Sequence, residues 1–318
     1  MNNPFPYTYD QHLYHTFVFD CIKRYGRKAV RIPLDAHFTC PTRDGTKNIG
    51  GCTFCAAEGA GEHILCRNES LSKQYAEGLS KVKNKYKTDF MPMPYFQAYT
   101  NTHGSLSQIK EMLLPFMEMP DIPAIIIATR PDCLDDAKIK WLSSLCQYKD
   151  IWIELGLQTS NDRSADAYHR GYTTQVFADC MHRLKQTDIR TSVHLINGLI
   201  NEDAEQMLAN ASILNTVGAD AVKFHMLCVV SGSILAEEYR IHPFPLLSQD
   251  AYIQIVSTQI ASLNPNIIIE RVTADPPADQ LIAPLWTLDK KKTINGIDKY
   301  MRQHGLMQGC MYRKEEHI

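Results

Sequence analysis

Residues 29–55 read Ala29-Val30-Arg31-Ile32-Pro33-Leu34-Asp35-Ala36-His37-Phe38-Thr39-Cys40-Pro41-Thr42-Arg43-Asp44-Gly45-Thr46-Lys47-Asn48-Ile49-Gly50-Gly51-Cys52-Thr53-Phe54-Cys55. The first six residues form an extended apolar run with the length of a buried strand. It leads straight into a glycine-studded loop carrying three of the chain's ten cysteines at the spacing C-x11-C-x2-C. Cys52 and Cys55 are close enough to bind one centre. Gly45, Gly50 and Gly51 allow the tight turns that let Cys40 join them. Three soft thiolates suit an iron–sulfur cluster or zinc. A four-iron cubane held by three protein sulfurs keeps one iron open for a substrate or cofactor.

Outward from this loop, the strand-then-loop pattern recurs. Further strands are expected at 95–99, 124–129, 151–158, 189–196 and 221–227, with a seventh candidate at 267–272. Between them lie helical periodicities, such as Leu71, Tyr75, Leu79 and Val82, or Ile253, Val256, Ile260 and Leu263. Lys81, Lys83, Lys85 and Lys87 do not share one helix face, so they read as solvated charge rather than an RNA-binding stripe. Strict alternation of strand and helix implies parallel βα units. Six or seven of them without a midpoint break imply an α/β fold of the partial (β/α)6-type, TIM-like barrel, not two Rossmann halves. The expected organisation is an N-terminal extension at 1–28, a barrel core at 29–275, and a C-terminal extension at 276–318 packed on the barrel through a helix near 288–301.

Composition narrows the class. Of 318 residues, 44% are hydrophobic and 21% charged, which is ordinary for a globular chain with a sizeable core. A formal net charge of −2 gives no global attraction to a polyanion. The start of the chain shows no basic region followed by an apolar core, and no stretch approaches ~18 consecutive apolar residues. A cytoplasmic protein with no membrane association is expected, and its cysteines are reduced thiols rather than a disulfide framework.

In βα barrels the reactive groups gather where the strands end. Here the ends carry the Cys loop, Thr100 and Asn101, Thr129 and Arg130, Gln158, Asn197 and His225. Polar residues also interrupt apolar strands at Gln97, Glu154, His194 and Lys223, and Arg271 and Asp275 close the seventh. An unpaired carboxylate at Glu154, between Ile153 and Leu155, would be costly, so a hydroxyl or a cation such as Arg170 or Lys223 is expected beside it.

Taken together, these segments resemble a radical S-adenosylmethionine enzyme of the bacterial family related to the Elongator catalytic subunit and to oxygen-independent coproporphyrinogen oxidase. The matching stretches are Cys52-Thr53-Phe54-Cys55, the segment 95–102, Thr129-Arg130-Pro131-Asp132, Glu154-Leu155-Gly156-Leu157-Gln158-Thr159, His169-Arg170-Gly171, His194-Leu195-Ile196-Asn197-Gly198 and Arg271-Val272-Thr273. They span roughly residues 25–285. The sequence departs from the commonest superfamily spacing, C-x3-C-x2-C, and has Thr100-Asn101-Thr102 where a Gly-Gly-Glu is usual. The resemblance implies that Cys40, Cys52 and Cys55 hold a [4Fe–4S] cluster whose fourth iron binds S-adenosylmethionine. One electron then gives methionine and a 5′-deoxyadenosyl radical, which removes a hydrogen atom from substrate. It further implies cofactor contacts at Phe54, Thr100, Asn101, Thr129, Arg130, Glu154, Gln158, Arg170, His194 and Asn197. Glu154 is placed at the ribose hydroxyls, Arg170 at the methionine carboxylate, and the backbone of Phe54 near adenine. Lys223, His225 and Arg271 are expected to face substrate, with Lys223 or Arg271 meeting an anionic group. The implied partners are an electron donor such as flavodoxin or ferredoxin and a substrate that is either RNA or a small anionic metabolite.

The competing readings are a closed tetrahedral zinc site on these cysteines, with Cys66 or His37 as fourth ligand, and a non-catalytic sensor or scaffold that binds a cluster or zinc. Cys66 is otherwise a spare thiol, and Cys228 a core residue near the cavity.

Overall fold

Two short N-terminal elements, helix α1 (Phe17–Tyr25) and strand β1 (Ala29–Leu34), precede the Cys loop in the computed structural model, which describes residues 3–56, 59, 64–86 and 89–313. Lys87 and residues 314–318 lie outside the described residues. Then come α2 (Leu71–Lys85), β2 (Met91–Phe96), α3 (Leu106–Met117), β3 (Ala124–Thr129), α4 (Asp136–Leu145) and β4 (Asp150–Gln158). The second half runs α5 (Asp162–Ala167), α6 (Thr174–Leu184), β5 (Arg190–Asn197), α7 (Ala204–Thr216), β6 (Ala221–Met226), β7 (Val229–Val230) and α8 (Ile234–Ile241). It closes with α9 (Gln249–Ser262), β8 (Ile268–Arg271), β9 (Leu281–Ala283) and α10 (Lys290–Gln303). Each of these helices starts at a Ser, Thr, Asp or Asn whose side chain accepts a hydrogen bond from the first-turn backbone, as Thr16, Ser105 and Asp203 do.

Seven strands form one parallel sheet in the order β1-β2-β3-β4-β5-β6-β8, while β7 and β9 pair antiparallel beside it. The sheet is an α/β partial barrel, as the strand–helix alternation implies. Its outward side chains join the main core with the helices: Ile125, Ile153, Val193 and Phe224 pack with Leu113, Phe177 and Val256. Burying each such side chain contributes about 1.5–3 kcal/mol. The inward ones alternate with them along every strand.

Two features differ from the reading of the sequence. The second strand begins at Met91, not at residue 95, and stops at Phe96. Met91 and Gln97 donate to Lys28 and Leu34 on the β1 side, so the even positions face β3. Pro92 and Pro94 therefore lack the N–H groups that β3 would use. Pairing with β3 is accordingly limited to Tyr95 and Phe96. The pair β7–β9 is too short to leave a periodic signal.

Helix α1 plugs the N-terminal mouth of the barrel. Its Cys21 is fully buried with Met93, Ile126, Trp152 and Ile268. Around the rim, Tyr25 donates to Asp150 at 2.5 Å, and Arg190 reaches Asp20 at 2.9 Å. The N-terminal segment also bridges β8 through Thr16 and Ile269. With one mouth stoppered, the accessible interior is at the opposite end, where the Cys loop lies. At the C-terminal end of the chain, α10 buries Ile297 and Met301 in the main core beside α9.

Candidate active site

The Cys loop folds back on itself. Lys47 and Asn48 donate to the Pro41 carbonyl, and Gly51 donates to Thr42 at 2.8 Å. These bonds close the eleven-residue gap, so Cys52 comes back to the level of Cys40. Gly50 and Gly51 sit at φ 91° and 88°, a left-handed conformation strained for any side chain. A Cβ on Gly51 would also lie 2.8 Å from Arg43. The Cys52 thiol then rests against the His169 carbonyl at 3.6 Å, and Thr53 donates to Tyr168. Cys40 lies 3.2 Å from the Thr42 hydroxyl.

Cys40, Cys52 and Cys55 all line one cavity of about 160 Å³ at the C-terminal ends of the strands. Among the described residues no three His, Cys, Asp or Glu side chains converge on a single metal-ion position. The thiols are instead spread round the cavity. Neither Cys66 nor His37 lines it, and Cys66 is exposed. Burial pushes the Cys52 thiol up to about 12, with Cys55 and Cys40 adding to the effect against Arg130. A set of partly buried thiols of this kind fits a group that brings its own positive charge, which would hold them as thiolates.

Several residues expected at the site share this cavity: Phe54, Thr100, Thr129, Arg130, Glu154, Gln158, Arg170 and His194. The hydroxyl of Thr129 pairs with Thr102 at 2.6 Å, and Arg130 grips Asp132 at 2.8 Å. Two expected cofactor contacts are absent from the cavity wall. Asn101 donates its amide to the carbonyls of Phe96, Ala98 and Ala128, which laces the ends of β2 and β3 together. Asn197 faces the helical layer, where it exchanges hydrogen bonds with Gln259 at 2.8 and 2.9 Å. Arg170 reaches the cavity but donates to Leu157, Thr159, Tyr172 and Asp162. Four bonds from five N–H groups make it a brace for the β4–α6 loop, with little left for a carboxylate.

A second cavity of about 440 Å³ adjoins the first and shares Phe54, Cys55, Tyr95, Gln97, Gln158 and His194 with it. Lys223, His225, Arg271 and Asp275 line it. Its floor is an ion network that crosses the barrel. Lys223 donates to both oxygens of Glu154 at 2.6 Å and lies 3.7 Å from Glu270. Arg31 meets Glu270 at 2.6 Å and Glu154 at 3.7 Å, spanning the gap between the edge strands β1 and β8. His194 completes the set at 3.1 Å from Glu154, and Tyr95 lies 3.3 Å from Lys223. Both carboxylate side chains are fully buried. Burial alone would raise the Glu154 carboxyl, but Lys223, His194 and Arg31 outweigh it and hold it well below the usual range. Burial draws Lys223 down to about 8, against the pull of Glu154. The expected cation beside Glu154 is therefore Lys223, and neither group faces the cavity as a free charge.

Reading the sequence missed Arg31, Tyr95 and Glu270. Arg31 and Glu270 carry the same signal as Glu154, a charge inside an apolar strand.

His194 and His225 stack with centroids 5.2 Å apart. Burial holds both imidazoles below their ordinary value, Lys223 adding to it at His194, and His194, Arg271 and Lys223 at His225. The unfolded chain, whose histidines titrate near ~6.5, takes up protons that the folded one refuses. The resulting stability is complete above about pH 6.5 and is lost as pH falls, by up to about 1.4 kcal/mol per pH unit for each histidine. The urea midpoint is expected to drop between about pH 7 and about pH 5.5, and to drop less in His225→Gln. An equal drop in the variant would assign the acid sensitivity to other groups.

Comparison with known proteins now adds to this geometry. The model of the Radical SAM superfamily matches residues 48–212, and that of the Radical_SAM C-terminal domain matches residues 219–303. The chain belongs to the radical SAM superfamily. It is 34% identical to YtqA of Bacillus subtilis (strain 168), over 99% of this chain and 98% of that protein. It is 30% identical to YhcC of Escherichia coli (strain K12), over 95% and 97%. The archaeal Methanocaldococcus infernus Elp3, with its N-terminus deleted, superposes with a TM-score of 0.66 at 16% identity, covering 88% of this chain and 64% of that one. This radical SAM chain is thus an enzyme, and its family uses a [4Fe–4S] cluster and S-adenosylmethionine, together with a reductant and a substrate. The superfamily match takes in Cys52 and Cys55 and starts after Cys40. The C-terminal match begins just before β6, and here β6 and β8 complete the same sheet. Among the described residues no helix is long and apolar enough to cross a membrane.

Proposed function

We propose that this radical SAM enzyme holds its [4Fe–4S] cluster on Cys40, Cys52 and Cys55 and abstracts hydrogen from a substrate seated in the larger cavity. The observation that carries this reading is the shared wall. Three thiols from two ends of one loop face a cavity that opens onto a chamber of about 440 Å³. When bound, the cluster and S-adenosylmethionine supply, for one electron from a donor such as flavodoxin or ferredoxin, a primary carbon radical beside that chamber and methionine as the other fragment.

This chain's own residues bind and orient. Thr100, Thr129 and Gln158 offer neutral donors and acceptors around the smaller cavity, where a zwitterionic cofactor needs them. Phe54, packed 5.9 Å from Tyr168, adds an apolar face common to both cavities. Arg130 brings a cation whose charge Asp132 partly offsets. The ion network below closes the floor. It anchors β1, β4, β6 and β8 at one level, so the chamber keeps its shape when its contents change.

Anaerobic reconstitution with iron and sulfide, followed by reduction with S-adenosylmethionine, tests the reading. The expected result is a brown protein with about four irons that releases 5′-deoxyadenosine. Stoichiometric zinc after anaerobic handling, or intact S-adenosylmethionine after reduction, would sink it.

A further inference from the structure

Strand β8 carries one residue more than its partner. Val222 of β6 stands opposite Ile269, and Lys223 stands opposite Arg271, which leaves Glu270 as the extra residue of a bulge. A bulge re-aims side chains, so two neighbours can serve the same face of a sheet. Glu270 reaches Arg31 and Lys223 in the barrel interior, and Arg271, next along, lines the larger cavity.

The charges of that cavity are not all balanced. Among the described residues, Arg31, Lys223 and Arg271 are the lysine and arginine side chains on its wall. Arg31 and Lys223 are matched two for two by Glu154 and Glu270. The cavity's Asp275 is bonded to Lys290. Arg271 makes no ion pair or hydrogen bond among the described residues, although it is half-buried beside the chamber. A guanidinium in such a place is suited to one carboxylate or phosphate, which it meets with two parallel hydrogen bonds. The same wall contains Ile196, Met226, Leu227 and Val230, apolar groups that suit a compact carbon skeleton.

We propose that the substrate is a small molecule bearing one anionic group, a carboxylate or a phosphate ester, which Arg271 anchors at the bulge. This rests on the reading of the larger cavity as the substrate chamber. A volume of about 440 Å³ lies in the range of small-molecule sites. Nucleic acid would call for several phosphate contacts, each from its own Lys or Arg. Among the described residues the chamber offers one lysine or arginine free of an internal partner, and the chain as a whole carries a net charge of −2.

The test is calorimetric binding of four probes to the anaerobically reconstituted protein. Benzoate and phenyl phosphate supply the two anionic groups, benzamide is a neutral control of benzoate's shape, and octauridylate is the polyanion. At least one of the two small anions is expected to bind about tenfold more tightly than benzamide, a difference of about 1.4 kcal/mol. That preference disappears in Arg271→Gln, survives in part in Arg271→Lys, and is unchanged in Arg163→Gln, a change at an exposed arginine. Which anion is preferred separates carboxylate from phosphate. Binding with no preference for either anion overturns the proposal, as does a preference that persists in Arg271→Gln. Octauridylate binding that is lost in Arg271→Gln overturns it in favour of RNA. Iron content and 5′-deoxyadenosine release by the wild-type protein, measured alongside, report separately on the cluster reading.

Discussion

Replacing Cys40, Cys52 or Cys55 singly with Ala is expected to lower bound iron from about four per chain to background and to abolish 5′-deoxyadenosine formation. A site with three protein ligands loses a third of them, and neither Cys66, which is exposed, nor His37 lines the cavity to replace the loss. The fold should survive, because the loop is closed by backbone bonds from Lys47, Asn48 and Gly51 rather than by the sulfurs. Cys180→Ala is the matched control. That thiol is fully buried among Phe177, Met181 and Leu184, away from both cavities. Iron measured after anaerobic reconstitution decides the matter. A Cys40→Ala protein that still binds the full complement of iron would remove Cys40 from the ligand set, and the superfamily match, which starts at residue 48, would then mark the extent of the site.

The second large effect lies in the ion network. Glu154→Ala leaves Lys223 and Arg31 to share Glu270, with a charge stranded in the barrel. Breaking a buried pair in this way typically costs about 3–5 kcal/mol. Replacing both partners, as Glu154→Leu with Lys223→Met, leaves the Arg31–Glu270 pair balanced and fills the volume with apolar atoms. The double variant should recover most of the loss. Urea unfolding of Glu154→Leu, Lys223→Met and the double variant completes the cycle. A Glu154→Ala protein of undiminished stability that binds S-adenosylmethionine more weakly would restore the ribose contact that the sequence alone suggests. The structure argues otherwise, because both Glu154 oxygens already accept from Lys223 and one also faces His194.

The acid sensitivity expected of the His194–His225 stack and the anion preference expected of Arg271 probe the same chamber from two sides. The first reads how completely the barrel keeps protons from its upper layer. The second reads whether the one cation without an internal partner, among those described on that wall, selects what enters.

Much of the fold was legible because its signals are local. Apolar runs of strand length and helical periodicity between them are properties of short windows, and their alternation dictates parallel pairing. The Cys loop was legible for the same reason: residue type, spacing and glycine position are all written along the chain. Where local chemistry and neighbour pairing diverged, the reading slipped. Pro92 and Pro94 look like strand breakers, yet β2 contains both, because its proline edge meets β3 only at Tyr95 and Phe96.

What the sequence determined by itself was the barrel class and a loop presenting three thiols at one of its ends, together with the family resemblance those motifs carry. Only the tertiary structure decided which polar side chains share a cavity. Asn101 and Asn197 sit at strand ends like Thr100 and Gln158, but strand register and helix packing turn their amides to Ala128 and Gln259. Lys223 and Arg271 looked interchangeable as cations. Curling of the sheet brings Glu154 and Glu270 to Lys223, and one extra residue in β8 leaves Arg271 with no such partner among the described residues. A charge acquires its role from the groups within a few ångströms of it, because in a poorly solvated interior those neighbours replace water. Residues 31, 154, 223 and 270 become neighbours only when four strands close round the same axis.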